Sequence, residues 1–341
     1  MKYYSNEIVF RGHPDKVCDQ ISDALLDAFL KGDKNSRCGI ETVGGKGVIF
    51  ITGEVTSNTD VDVEKVAKRV LRDIGYDADK YKIINNIGKQ SQDIALGTNN
   101  EVGGAGDQGM MFGFATRQTK EFLPKAQVIL QKFSKKYDEL RKKDSRFLPD
   151  GKAQITGIYD GYDLKKIKDF TISYQNTEKD REETDQILKD IVNKICKAEG
   201  VEVERFLINP TGRFFIGGFD GDAGLTGRKI VIDTYESFAK VGGGAFSGKD
   251  PTKVDRSGAY KAREIAKDIL KKNNDLNWVN VQLSYAIGIE EPLAIYINSD
   301  KGELEPDQSL YEECKPKNII KDLDLLNKCY EETARFGHFQ N

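Results

Sequence analysis

The stretch Gly242-Gly243-Gly244-Ala245-Phe246-Ser247-Gly248-Lys249-Asp250-Pro251-Thr252-Lys253-Val254-Asp255-Arg256 begins in glycine and ends in dense charge. Glycine lets a backbone curl and present N–H groups to anionic oxygens, and lysine and arginine add charge, so the stretch reads as a polyphosphate cradle. Gly243, Gly248 and Lys249 fit the spacing G-x-x-x-x-G-K of a P-loop, but Asp250 stands where that motif needs Ser or Thr to hold magnesium. Phosphate binding survives that mismatch; the fold and chemistry of a P-loop NTPase do not. A second run, Asn209-Pro210-Thr211-Gly212-Arg213-Phe214, leads through Gly217-Gly218-Phe219-Asp220-Gly221-Asp222 to Gly227-Arg228-Lys229, where cation, acid and glycine alternate again.

These residues must be positioned by a chain of 341 residues, enough for two or three domains, with 38 % hydrophobic content to build their cores. A net charge of -3 argues against a nucleic-acid footprint, so anions must be drawn by local clusters. The basic segment from Lys132 to Arg146 is interrupted by acids and reads as the solvated face of an amphipathic helix. No apolar signal core or membrane span is visible, and a soluble, cytoplasmic protein is expected. Five scattered cysteines (Cys18, Cys38, Cys196, Cys314, Cys329) support neither a disulfide framework nor a zinc site.

Periodicity predicts a helix from Asp15 to Lys31, strands at 39–43 and 48–55, a helix at 61–74 and a strand at 81–87. The order α-β-β-α-β recurs: a helix at 122–143, strands at 153–159 and 168–174, a helix at 182–198 and a strand at 206–208. A looser third copy has a helix at 253–272, strands at 279–287 and 293–297, and a last helix near 318–330. Glycine-rich junctions at 97–109 and 217–227 suggest an N-terminal domain at 1–96, a central one at 97–220 and a C-terminal one at 221–341.

Gly12-His13-Pro14-Asp15-Lys16, Gly104-Ala105-Gly106-Asp107-Gln108-Gly109, Asp150-Gly151-Lys152-Ala153-Gln154, the run from Asn209 to Asp233 and that from Gly242 to Arg256 lie in this order along the chain. Ser284-Tyr285-Ala286-Ile287-Gly288 and Gly337-His338-Phe339 extend the pattern nearly to the end. On these blocks the chain resembles the methionine adenosyltransferases, or S-adenosylmethionine synthetases. The resemblance implies an α+β fold of three similar α/β-layered domains with mixed sheets, related by a pseudo-threefold axis. It implies that a thioether sulfur attacks the 5′ carbon of ATP in line, expelling tripolyphosphate that is then hydrolysed to phosphate and diphosphate. That displacement needs alignment and charge stabilisation rather than a general base, which suits a chain with many cations and two histidines.

Residue by residue, the resemblance places His13 at the oxygen linking ribose to phosphate, and Lys152, Arg228, Lys229 and Lys249 on the tripolyphosphate, with a backbone contact from Ala245. Each charge-assisted contact of this kind contributes roughly 1.5 to 3 kcal/mol. Arg213 and Phe214 map to the adenosine, Asp150 and Asp222 to ATP, and Asp15 and Asp255 to two Mg2+ ions per site. Glu41 maps to K+. Methionine would meet Glu54, Gln90, Asp222 and Lys253, and Asp107 the nucleoside or methionine. The polar loop from Ala95 to Gly104 corresponds to the family's gate. The active site would lie between two subunits of a homodimer, commonly paired into a tetramer. Plainer roles stand beside these: His13 as a helix cap, Asp15 and Asp255 at helix N-termini, Lys152 as a surface cation, Glu41 as an exposed strand acid, Phe214 in a core, and the gate as a surface loop.

Arg11 stands where the family usually carries an acid, and Thr234-Tyr235-Glu236-Ser237 replaces Thr-Tyr-Gly-Gly. The segment between Gly75 and Gly88 is short, and the chain lacks the family's usual tail after Phe339. Two other functions compete: a phosphotransferase or NTPase using Lys249, and a catalytically silent subunit that binds nucleotide and regulates a partner.

Overall fold

The computed structural model describes residues 2–90, 103–177 and 179–339, so the expected gate lies, up to position 102, outside the described residues. The chain runs β1 (Lys2–Val9), α1 (Pro14–Gly32), β2 (Arg37–Gly45), β3 (Val48–Thr56), α2 (Val63–Ile74) and β4 (Lys82–Gly88). The succession repeats as β5 (Gly109–Thr116), α3 (Lys125–Arg141), β6 (Phe147–Asp160), β7 (Asp163–Asn176), α4 (Arg181–Ala198) and β8 (Val203–Ile208). The last third holds β9 (Gly224–Leu225), α5 (Ile230–Asp233), α6 (Val254–Lys272), β10 (Trp278–Tyr285), β11 (Ala294–Ser299), β12 (Gly302–Leu304), α7 (Ser309–Glu313), α8 (Pro316–Asp322) and α9 (Tyr330–Phe336).

Each third gives its leading strand away. β1 pairs with β6, β5 with β10, and β9 returns to β2, giving sheets ordered β1-β6-β7-β8, β5-β10-β11-β12 and β9-β2-β3-β4. The exchange is cyclic, as a threefold arrangement of similar units requires, and no third completes its sheet alone. In two sheets a helix crosses between the last strands, so β3 and β4, and β7 and β8, run parallel. In the remaining sheet β12 follows β11 through a tight turn at Asp300 and Lys301, and pairs with it antiparallel.

Sequence patterning missed β1 and β5, whose partners lie far along the chain, so only tertiary pairing defines them as strands. The single last helix expected near 318–330 is instead two: α8 stops before Asp324, which takes a φ of 47°, and Tyr330 then opens α9. The helix expected from Phe122 starts at Lys125, because Phe122 has a φ of 58° and Pro124 occupies the N-cap. One apolar cluster joins α1, α2 and α6 with the sheets of the first and last thirds; a second fills the central third beneath α3 and α4.

Two of the departures noted in the sequence, Arg11 and Glu236, are accommodated. The Arg11 guanidinium, 2 % exposed, lies 2.7 Å from Asp73 of α2 and 3.5 Å from Asp138 of α3, and its Nε donates to Gln20 of α1 at 2.9 Å. A cation is therefore matched by acids on two other helices. Glu236 sits at a φ of 53°, where glycine is at ease, and its buried carboxyl accepts the Glu7 N–H of edge strand β1 at 2.7 Å. Burial pushes this carboxyl well above the usual carboxylate range.

Arg11→Glu leaves Asp73 and Asp138 facing a third acid and should cost about 3–5 kcal/mol, read from the urea midpoint. For Glu236 the folded pKa is raised, so its contribution is present at low pH and lost as pH rises through the folded value. Glu236→Gln should flatten that decline: in thermal melts its stability relative to the parent should improve as pH rises above the ordinary carboxylate range, and a difference constant at every pH would refute the assignment.

Candidate active site

The turn from β1 into α1 delivers the first group. Pro14 occupies the first helical position, and His13 caps the helix by accepting the Asp15 N–H on Nδ1 at 3.2 Å. Burial, and then the charge of Lys229, lower the His13 pKa to about 4, so the ring is neutral near pH 7. Since Nδ1 accepts, the proton of the neutral ring resides on Nε2, which makes that nitrogen a hydrogen-bond donor. His13 lines a pocket of about 230 Å³ with Asp150, Lys152, Ser173, Phe214, Ile216 and Asp222. Lys152, on β6, is exposed and belongs to no ion pair among the described residues. Asp150 is engaged elsewhere, since its Oδ2 accepts the Gly218 N–H at 2.7 Å, and burial raises its pKa to about 6. Arg213 lies outside the pocket with its guanidinium 4.9 Å from the centre of the Phe215 ring.

Asp15 is fully buried. Its Oδ1 accepts from Leu225 N–H at 2.9 Å and faces Arg228 Nε at 3.1 Å, while Oδ2 meets Lys229 Nζ at 2.5 Å. It is the first of four aspartates spaced by four residues on one face of α1. Asp19 accepts Gly227 N–H at 2.8 Å and lies 3.2 Å from Lys16, which also holds Asp233 at 2.5 Å. Asp23 takes Arg256 in a fork of two 2.7 Å bonds and accepts Gly248 N–H at 2.8 Å. Asp27 accepts the Tyr330 and Glu331 N–H groups at the start of α9. The column thus pins to one helix the segments that carry Arg228, Lys229, Lys249 and Arg256.

The second group surrounds the start of α6. Lys249 Nζ sits 2.5 Å from Asp255 Oδ2, and Lys253 Nζ 3.3 Å from Asp250, which also accepts Cys38 N–H. A methyl built on Gly39 of β2 would lie 3.4 Å from Glu54 Oε1 and 3.7 Å from Lys253 Cε, so acid and cation flank one spot. Gly106 packs against Thr252 and Lys253, which brings the half-buried Asp107 beside them. Gln90 follows the end of β4, the strand paired with the one that carries Glu54. Glu41 is exposed on β2 and belongs to no ion pair among the described residues.

The glycine run differs from the cradle expected of it. The Gly248 N–H, which a P-loop would aim at phosphate, is consumed by Asp23, and α6 starts only at Val254. Gly244 is needed for closeness instead: a Cβ there would fall 2.1 Å from the Asp255 carboxyl carbon. Within one chain Asp222 stands with His13 and Lys152, whereas Glu54 and Lys253 stand together in the second group. Among the described residues no ion pair joins the two groups; their backbones meet where Gly227 packs on Ala245. Sequence reasoning missed Ser173 and Ile216, the latter 67 % exposed beside Phe214, and it missed Asp23 and Arg256 as organisers. The repeat of aspartate at every fourth position was the available signal for the last two.

Sequence comparison decides the family. Residues 1–92 match the profile of the S-adenosylmethionine synthetase N-terminal domain, 102–214 that of its central domain and 216–341 that of its C-terminal domain. The chain belongs to the S-adenosylmethionine synthetase family. It is 41 % identical to the S-adenosylmethionine synthase of Clostridium botulinum (strain Alaska E43 / Type E3), over 99 % of this chain and 94 % of that protein. It is 42 % identical to that of Clostridium tetani (strain Massachusetts / E88), with the same shares covered. Between them the three profiles cover every candidate residue named above.

Gly244→Ala should separate Lys249 from Asp255 while the fold persists: melting should shift by a few degrees at most, and nucleotide affinity should fall at least tenfold in titration. Asp23→Ala leaves the Arg256 guanidinium buried and unpaired and should destabilise the chain by about 3–5 kcal/mol in chemical denaturation.

Proposed function

We propose that the chain joins ATP and L-methionine to form S-adenosylmethionine, releasing tripolyphosphate that the same site hydrolyses to phosphate and diphosphate. The observation that carries this reading is a neutral imidazole donor at the start of α1 sharing a pocket with Lys152, with Arg228 and Lys229 on the neighbouring Asp15 and Lys249 in the second group, four cations that together suit a leaving group of roughly four negative charges. His13 Nε2 donates to the oxygen that gains charge as the 5′ carbon–oxygen bond breaks. Lys152, Arg228, Lys229 and Lys249 take the tripolyphosphate, and the backbone at Ala245 adds a contact. Phe214 and Ile216 offer apolar surface to adenine, with Arg213 and Asp222 at its edges and Asp150 holding the loop at Gly218. Glu54 and Lys253 meet the ammonium and carboxylate of methionine, with Gln90 and Asp107 beside them.

Without substrate, Arg228 and Lys229 lie on Asp15, and Lys249 lies on Asp255. Phosphate oxygens would draw those cations away and leave each carboxylate facing a metal. No group of three or more ligating side chains exists among the described residues, so Asp15 and Asp255 fit magnesium only as single-carboxylate anchors completed by phosphate oxygens and water. Two Mg2+ ions held there would neutralise charge on the leaving group; Glu41 offers one carboxylate to K+. The two groups are read as halves of composite sites, each completed by a second copy in a homodimer, and the dimers as paired into a tetramer. Exposed Met110, Leu293 and Tyr296 on or beside β5 and β11 provide apolar surface for such contact. Free thiols and the absence, among the described residues, of a helix able to cross a membrane suit a cytoplasmic enzyme.

Chromatography of the purified protein with ATP, methionine, magnesium and potassium should give S-adenosylmethionine with phosphate and diphosphate, and nothing when methionine is withheld. Lys249→Ala should lower kcat about 10²–10³-fold, as expected for one preorganised contact to a charged transition state. Methionine-independent ADP would refute the reading in favour of an NTPase, and saturable ATP binding with no turnover would leave a regulatory subunit.

A further inference from the structure

A second cavity, of about 310 Å³, lies between α6 and the segment that follows α8, apart from every residue assigned to the reaction above. Its charged lining is lopsided. Arg263, Lys267, Lys271 and Lys328 face two acids, Glu264 and Asp268. Both acids are taken: Glu264 holds Lys261 at 2.8 Å and Asp268 holds Lys271 at 3.3 Å. The Arg263 guanidinium is spent on the carbonyls of Phe114, Glu121 and Phe122. Lys267 and Lys328 remain: among the described residues neither forms an ion pair, although the charges of Asp268 and Glu264 still reach Lys267. Lys267 is half-buried, and burial with the charges of Arg263 and Lys271 holds its ammonium below the ordinary pKa against the pull of Asp268 and Glu264; Lys328 is exposed, and is lowered by the burial of its surroundings and by Arg256. Lys328 Nζ lies 5.3 Å over the Tyr260 ring, which forms one wall with His338. His338 is buried and kept neutral, so it adds no charge.

Two ammonium groups without ion pairs, lining one polar cavity with an excess of cations over acids, are a configuration that a small multivalent anion relieves, because it supplies counter-charge to both. We propose that this cavity binds an oxyanion of the phosphate class, inorganic diphosphate foremost, between Lys267 and Lys328. It is connected to the catalytic loops by one buried path. The Tyr260 hydroxyl contacts His338 Nδ1 at 2.8 Å and accepts from Arg256 Nε at 3.2 Å, and Arg256 in turn holds the Lys249 carbonyl at 3.1 Å. An anion seated at the cavity therefore bears on the same guanidinium that shapes the Lys249 loop.

The test uses the full-length protein and inorganic diphosphate, titrated calorimetrically against the parent, Lys249→Ala, and the double variant Lys267→Gln/Lys328→Gln. The parent should show a class of binding that survives Lys249→Ala and weakens at least tenfold in the double variant. Lys267→Arg/Lys328→Arg should restore it. In parallel, brief acetylation of the parent followed by peptide mass spectrometry should show diphosphate protecting Lys267 and Lys328 at least fivefold relative to Lys301, which is remote from the cavity. This second arm does not depend on any variant folding. ADP in place of diphosphate separates a free anion from a nucleotide's phosphates: protection by either supports the site. Binding that vanishes in Lys249→Ala and is unchanged in the double variant, or equal acetylation with and without both anions, would overturn it, whatever the outcome of the turnover assay.

Discussion

Four aspartates on one face of one helix organise this molecule. α1 is buried along nearly its whole length, and Asp15, Asp19, Asp23 and Asp27 project from successive turns into loops that come from the last third of the chain. Each accepts at least one backbone N–H, so the column acts as a row of anchors rather than as an isolated negative charge. The three deepest carboxylates, Asp15, Asp19 and Asp23, would be strongly unfavourable without partners, and Lys16, Lys229, Arg228 and Arg256 are the partners that make them tolerable. The same carboxylates that hold the loops therefore hold the cations.

That economy explains why binding chemistry and folding are hard to separate here. The Asp23–Arg256 fork is wholly buried, and Arg256 also touches the Lys249 carbonyl and lies 4.3 Å over the Tyr330 ring. It joins α1, α6 and α9 at one point, with Lys249 projecting from the loop so fixed. Lys229 and Arg228, by contrast, rest on the buried Asp15 with Arg228 half exposed to solvent. Charge near the centre of the fold is enclosed on all sides, and charge on these two residues is not.

The sheets impose a matching constraint. Because each third lends its first strand to the next, the β1–α1 turn carrying His13 is held by a sheet of the central third, where Lys152 stands opposite Val9 in register. His13 and Lys152 thus share a pocket through the pairing of β1 with β6, although they are far apart in the chain. The β5 strand likewise carries the Gly104–Gly109 block to the last sheet and sets Asp107 beside Lys253.

Much of this was legible from residues alone. Pro14 after His13 announced α1, the period of its apolar residues gave its core face, and the glycine runs with their cations marked the charged loops, because local sterics and side-chain chemistry act within a few residues. Helix ends at Phe122 and Asp324 were not, since φ values near +50° in non-glycine residues are imposed by surroundings. Nor were β1 and β5, which lack partners until the chain closes on itself. Gly248 and Gly244 show the same divide within the candidate site. Their type declared that backbone must come close to something; only the fold decided that the neighbours were Asp23, far away in the chain, and Asp255, brought back by the turn into α6, because such contacts are fixed by burial and tertiary packing.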